Sequence, residues 1–519
     1  MKTIRKYSAL AIIIALGACE QYQLPEIAGP AKGTADFTKT VAVGSSLTAG
    51  FMNGALYTAG QNASFMSILT KQMKSVGGGE FNQPDINAVN GDYGITQGSP
   101  GVAGRLYLKG VSGTGCSTVT PAPAPKLPGN AITAYSGDKT KLNNFSAYRA
   151  SIQLSLTPAL GGPATGNAFY NPWFGRFAAS PSVDGTTGSS LIGDAAAALG
   201  NNGTFFVFWL GIDDVLGYAL NGAVDGDPTA PLTATATFNA AYNQALTAML
   251  NAKTTAYGIV GNIPDLTSLP YFTTVKWNQV VFLSCDPASV TTVAQLNAGY
   301  GSFNSALNAL VGTGTNQITQ AEADKRKVVF KTGANATLGA NAVVIVDETL
   351  VDLGPQLGAL SGGALAGFGR VRQATSSDLI VLPAGAVLPN GVGINPAAGF
   401  LTDKYVILPS EAATIQASIT AFNATIKTAV DAQPNRLALF DANAVLKQVA
   451  TGTVAVNGSS LTASVTPPAG AFSLDGVHPN ARGQAYIANK FIEVINAKWE
   501  ASIPLCNPND YPGNEFPIP

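Results

Sequence analysis

Six consecutive apolar residues, Phe205-Phe206-Val207-Phe208-Trp209-Leu210, restrict the fold of this chain more than any other stretch. Successive side chains of a strand point to opposite faces, so an unbroken apolar run needs cover on both, where a sheet with one wet face would alternate. Further strand-like runs lie at 38–43, 257–261 and 437–440. Apolar residues at helical spacing lie between and beyond them: Phe65, Ile68, Leu69, Met73 and Val76, stopped by Gly77-Gly78-Gly79; Phe238, Tyr242, Ala245, Leu246, Met249 and Leu250; Leu296, Tyr300, Phe303, Leu307 and Leu310; Ile415, Ile419, Phe422, Ile426 and Val430, opened by Pro409-Ser410-Glu411; and Ile487, Phe491, Val494 and Ile495. Strands alternating with helices predict an α/β fold, a doubly wound parallel sheet with helices on both faces. Three stretches rich in Gly, Ala, Thr and Pro, at about 77–142, 312–403 and 446–468, read as insertions, with strand-like pieces at 343–347 and 379–382. The aromatics Tyr170, Trp173, Phe174 and Phe177 around Asn171-Pro172 either line an apolar cleft or staple a loop to the sheet.

Acid/base chemistry near neutral pH has one natural candidate, because the chain has a single histidine, His478. Asp475, three residues earlier, can accept one ring N–H and fix the tautomer. Far upstream, the first strand breaks at Gly44 into Ser45-Ser46-Leu47, which puts a hydroxyl at the C-terminal edge of the sheet, where α/β sheets hold ligands. Ser46 with Asp475 and His478 reads as a nucleophile, an orienting carboxylate and a base.

These blocks resemble the SGNH/GDSL hydrolases, a family of esterases and lipases. Gly44-Ser45-Ser46-Leu47 is similar to the family's Gly-Asp-Ser-Leu, with Ser45 replacing Asp, and Asp475 to Pro479 matches its Asp-x-x-His-Pro. The third block, Gly-x-Asn-Asp, falls at Gly211-Ile212-Asp213-Asp214, and the second aligns with 144–150 or, retaining glycines, with 98–101. The resemblance implies an SGNH, flavodoxin-like sheet, Ser46 as nucleophile, His478 as base, Asp475 as its orienter, and no cofactor. It also assigns Ser46, Arg149 and Asp213 to the oxyanion hole. Asp213 stands where the family has a donating Asn; an ionised carboxylate only accepts hydrogen bonds and opposes the developing charge. A bidentate Arg149–Asp213 pair would neutralise it and offer spare guanidinium donors.

The length of 519 residues suits two or three average domains, but a nucleophile and base at opposite ends require one domain, 38–500, closing around both, with a C-terminal tail at 501–519. A net charge of −1 supplies no basic surplus for nucleic acid. At the N-terminus a basic head, a short apolar stretch and Leu16-Gly17-Ala18-Cys19 have the form of a bacterial lipobox. That resemblance implies a signal peptide at 1–18, lipidation of Cys19, a tether at 19–37, and a cell-envelope location, at the outer membrane, with the rest outside the cytoplasm. Cys116, Cys285 and Cys506 permit one disulfide of unassigned pairing, and a metal centre is not expected from one histidine and no Cys-x-x-Cys. The expected function is a lipid-anchored serine hydrolase of carboxylic esters: lipids, short acyl esters or O-acetylated glycans. The alternatives are a catalytically impaired SGNH-fold lipoprotein that binds a ligand or partner, and a structural surface lipoprotein.

Overall fold

The computed structural model describes residues 29–93, 103–108, 111–112, 120–121, 126–314, 317–452 and 454–514. The lipobox with Cys19, Cys116 and the 98–101 alternative for the second block lie outside the described residues. Five parallel strands form the central sheet: β1 (Thr40–Gly44), β2 (Asn144–Ser146), β3 (Phe205–Trp209), β4 (Tyr257–Gly261) and β5 (Leu437–Phe440). Their spatial order is β5-β4-β3-β1-β2. The chain therefore leaves β1 toward one edge, returns, and continues toward the other. The crevice where β1 and β3 end is the switch point at which doubly wound sheets bind ligands. Gly44 pairs there with Ser146 on one side and Trp209 on the other.

The main helices are α1 (Ser46–Ala49), α2 (Phe65–Met73), α3 (Leu191–Gly200), α4 (Asp213–Leu220), α5 (Thr235–Ala252), α6 (Pro287–Ala309), α7 (Pro409–Asp431), α8 (Ala442–Ala450) and α9 (Ala481–Trp499). Adjacent residues of β3 show that both faces are covered. The Trp209 ring meets Phe65 of α2 at 5.4 Å and Phe491 of α9 at 5.6 Å, whereas Phe208 meets Tyr242 of α5 at 5.4 Å. Phe238 of α5 stacks on Phe422 of α7 at 3.9 Å, extending the second layer. Burying side chains of this size contributes about 1.5–3 kcal/mol each. α2 stops where the glycines predict, with Gly77 at φ +89°, and α7 opens with Glu411 accepting the Leu408 N–H at 2.6 Å.

Two insertion boundaries differ from those expected. The central excursion begins well before residue 312: the apolar face of α6, with Leu296, Tyr300, Phe303 and Leu307, packs on Val328, Phe330 and Leu357 in a separate cluster and not on the sheet. A second cluster gathers Val275, Ile345, Ile380 and Leu401. The amphipathic period identified a buried face correctly but carries no information on which core receives it. Within this excursion, residues 344–346 pair antiparallel with 371–373, and 379–380 with 406–407. The stretch at 446–468 is an insertion only after α8, whose Leu446 and Val449 belong to the main core. Its Ala- and Asn-rich start hid one helical turn after another.

Candidate active site

β1 runs into Ser45, and Ser46 opens the short helix α1 with 1% of its surface exposed. Gly44 is required there because a Cβ would lie 2.2 Å from the Thr48 hydroxyl. The other half of the site is the loop ahead of α9, closed by the Ser473 N–H donating to the His478 carbonyl at 2.7 Å. Asp475 Oδ1 accepts the N–H groups of Val477 and His478, each at 2.8 Å; Oδ2 accepts the Gly54 N–H at 2.8 Å and faces His478 Nδ1 at 3.1 Å. Burial alone would raise the Asp475 carboxyl, but His478 and these N–H groups hold it below the ordinary carboxylate range. With Nδ1–H committed to Asp475, Nε2 is the acceptor; it is buried and has no hydrogen-bond partner. Ser46 and His478 line the same cavity.

The second block at 144–150 falls beside this pair. Asn144 donates to the Thr48 carbonyl at 3.0 Å, and Ser146 donates to Asn144 Oδ1 at 2.7 Å, tying β2 to α1. Arg149 adopts φ +59°, the left-handed conformation that glycine takes freely and that costs other residues about 1–2 kcal/mol. Neither its backbone N–H nor that of Ser46 donates to another described residue. Gly211 also needs its glycine, at φ +110°. Asp213 begins α4 with Oδ2 buried and without a hydrogen bond. Burial pushes its carboxyl up to about 6, against the downward pull of the Ser45 hydroxyl, Arg149 and His478. The bidentate Arg149–Asp213 contact is not formed: no ion pair joins them, and Arg149 acts on the carboxylate only at longer range. Asp214 accepts from the Ile152 N–H at 2.8 Å and from Thr233 Oγ1 at 3.0 Å, bracing the start of α4 against the segment that follows residues 144–150.

Several positioning residues went unread in the sequence. Asn53 (φ +53°) and Gly54 (φ +79°) form a tight turn. Besides the Gly54 bond to Asp475, the Asn53 N–H donates to Ser473 Oγ at 2.9 Å and Asn53 Oδ1 accepts the Leu474 N–H at 3.0 Å. The Asn-Gly dipeptide was the available signal. Gly54→Ala is expected to lower kcat of the ester hydrolysis proposed below by about 10²-fold with the fold retained, because its Cβ would lie 2.3 Å from the Tyr93 ring and the Asp475 donor must shift. An unchanged kcat, with circular dichroism as the control for folding, would show the turn is not needed for alignment. Gly476 (φ +73°) is held from the other side: the Tyr271 N–H donates to its carbonyl at 2.9 Å, and the Leu382 N–H, from the excursion, donates to the Tyr271 carbonyl at 2.7 Å.

Of the aromatics near Asn171, Phe174 and Phe177 are core residues that staple the loop. Trp173 instead packs on Tyr148 at 4.9 Å; Tyr148 stacks on Phe51 at 4.2 Å, and Phe51 lies 5.0 Å from the His478 ring. Asn171 fixes this wall by donating to the Tyr148 carbonyl at 2.6 Å. Cys285 and Cys506 are both free thiols. Among the described residues, Glu348, Asp403 and Glu411 bring their oxygens within 4.8 Å of one another. Burial and the neighbouring carboxylates of Glu348 and Asp403 push Glu411 up to about 8. No family model, curated protein or solved structure matches this chain. No described helix is long and apolar enough to cross a membrane.

Proposed function

We propose that the chain is a serine esterase of the SGNH type, anchored to the bacterial envelope through a lipid on Cys19. The observation that carries this reading is the buried, unpartnered Nε2 of His478, oriented by Asp475, in a residue that lines the same cavity as Ser46. In the proposed reaction Ser46 Oγ attacks the ester carbonyl while Nε2 takes its proton. The tetrahedral oxyanion meets the backbone N–H groups of Ser46 and Arg149. Its collapse breaks the ester C–O bond, and the imidazolium returns the proton to the departing alcohol. Water, deprotonated by the same nitrogen, then releases the acid and frees Ser46. A second reading, a binding protein with an impaired site, is favoured by the unpaired Asp213 carboxylate.

A fluorescent fluorophosphonate separates the two readings. It is expected to label the wild-type protein at Ser46, to leave Ser46→Ala unlabelled, and to react far more slowly with His478→Ala. Equal labelling of wild type and His478→Ala would remove the triad assignment. Applied to cells carrying Cys19→Ser, the same label is expected in the soluble fraction instead of the membrane fraction, and unchanged partition would rule out the anchor.

A further inference from the structure

The cavity that receives Ser46 and His478 has a composition that speaks to the substrate. With the open solvent at its mouth included it encloses about 690 Å³. Its walls come from Trp209, Leu446, Val449, Phe472, Tyr486 and Ile487, together with other aliphatic residues. Ser46, His478, Trp209 and Tyr486 are the lining residues with polar side-chain atoms, and Trp209 Nε1 is already committed, donating to the Asn262 carbonyl at 2.9 Å. No charged carboxylate or ammonium group lines it. Sugar hydroxyls entering this space would lose their water without finding partners. Neither Asp213 nor Arg149 is part of the lining. The apolar space thus reaches Ser46 without including the side chains of Asp213 and Arg149 in its walls, as a site for the carbon chain of an acyl group requires.

We propose that this cavity is an acyl-chain site, which makes the substrate class esters of medium to long unbranched fatty acids and not acetyl esters or O-acetylated glycans. The inference rests on the esterase reading above for its chemistry, while the cavity stands on its own walls. α8, which supplies Leu446 and Val449, and α9, which supplies Tyr486 and Ile487, set the depth available to the chain.

The test pairs hydrolysis with binding. Across p-nitrophenyl esters from acetate to dodecanoate, kcat/KM is expected to rise about fourfold per added methylene until the cavity is filled. Val449→Trp is expected to move the end of that rise to shorter chains. Acetate esters of lengthening alcohols are expected to show no such rise. Separately, the Ser46→Ala protein is expected to bind the fluorescent fatty acid cis-parinaric acid and to release it to dodecanoate but not to acetate. A flat acyl series together with no binding of cis-parinaric acid would overturn the proposal and leave the esterase reading standing. A rise in the alcohol series alone would overturn the assignment to the acyl chain. Binding without hydrolysis of any ester would support the chain site and sink the esterase reading. If Val449→Trp fails to fold, the Ser46→Ala binding arm still decides the matter.

Discussion

Replacing Ser46 or His478 by alanine is expected to lower kcat on a p-nitrophenyl ester by about 10⁴- to 10⁶-fold, with the fold intact. Ser46→Ala removes one buried oxygen and no apolar contact, so circular dichroism and the melting temperature should barely move. His478→Ala strips the Asp475 carboxylate of its imidazole, but Gly54, Val477 and His478 still supply three backbone N–H groups. The two losses should not multiply: nucleophile and base serve one proton transfer, and the double variant should match the worse single. Retention of a tenth of wild-type activity by Ser46→Ala would exclude it as the nucleophile.

The opposite effect is expected at Asp213. Asp213→Asn should raise kcat at pH 8 by about 10²-fold, because an amide N–H replaces a carboxylate that can only accept, and one oxyanion donor is worth about 2.7–4 kcal/mol. The gain should shrink at pH 5. Burial raises the Asp213 carboxyl to about 6; below that value it is neutral and has an O–H to donate, and above it the charge returns. The variant should therefore lose whatever part of the wild-type pH–rate profile is centred near pH 6. The same raised value bears on stability: the native state prefers the protonated form, so the wild type loses stability from Asp213 as pH climbs from about 4 to about 6, and the asparagine variant does not. A gain that is equal at pH 5 and pH 8, or no gain at all, would show that Asp213 does not face the oxyanion.

The central sheet was legible because its strands are short, apolar and separated by glycines or by amphipathic helices. Residues 205–210 announced cover on both faces, and Phe208 and Trp209 meet different helices. The ends of the site were legible for a different reason. Ser46 and His478 are chemically distinctive, and each follows a break in regular structure. What stayed hidden depends on distance in the chain. Gly54 acts on Asp475, and Asn53 on Ser473 and Leu474, some 420 positions away, and no local pattern encodes those contacts. β2 escaped notice because three residues are too few for a period, and α3 because its alanines make the helix nearly uniform. At Arg149, side-chain identity suggested an ion pair, but the backbone matters more: a non-glycine residue holds the positive φ that keeps its N–H turned from the secondary structure.

The contact between Gly476, Tyr271 and Leu382 makes His478 an indicator of events elsewhere. The central excursion has its own apolar clusters, joined to the main core through Val381 and Ile407, and is the kind of unit that opens sub-globally. Opening would take Leu382 from the Tyr271 carbonyl and loosen the grip of Tyr271 on Gly476, removing one of the outside supports of the Asp475–His478 turn. Heat inactivation would then precede melting of the sheet. An excursion that supplies no wall of the cavity would still govern the temperature range over which His478 stays aligned.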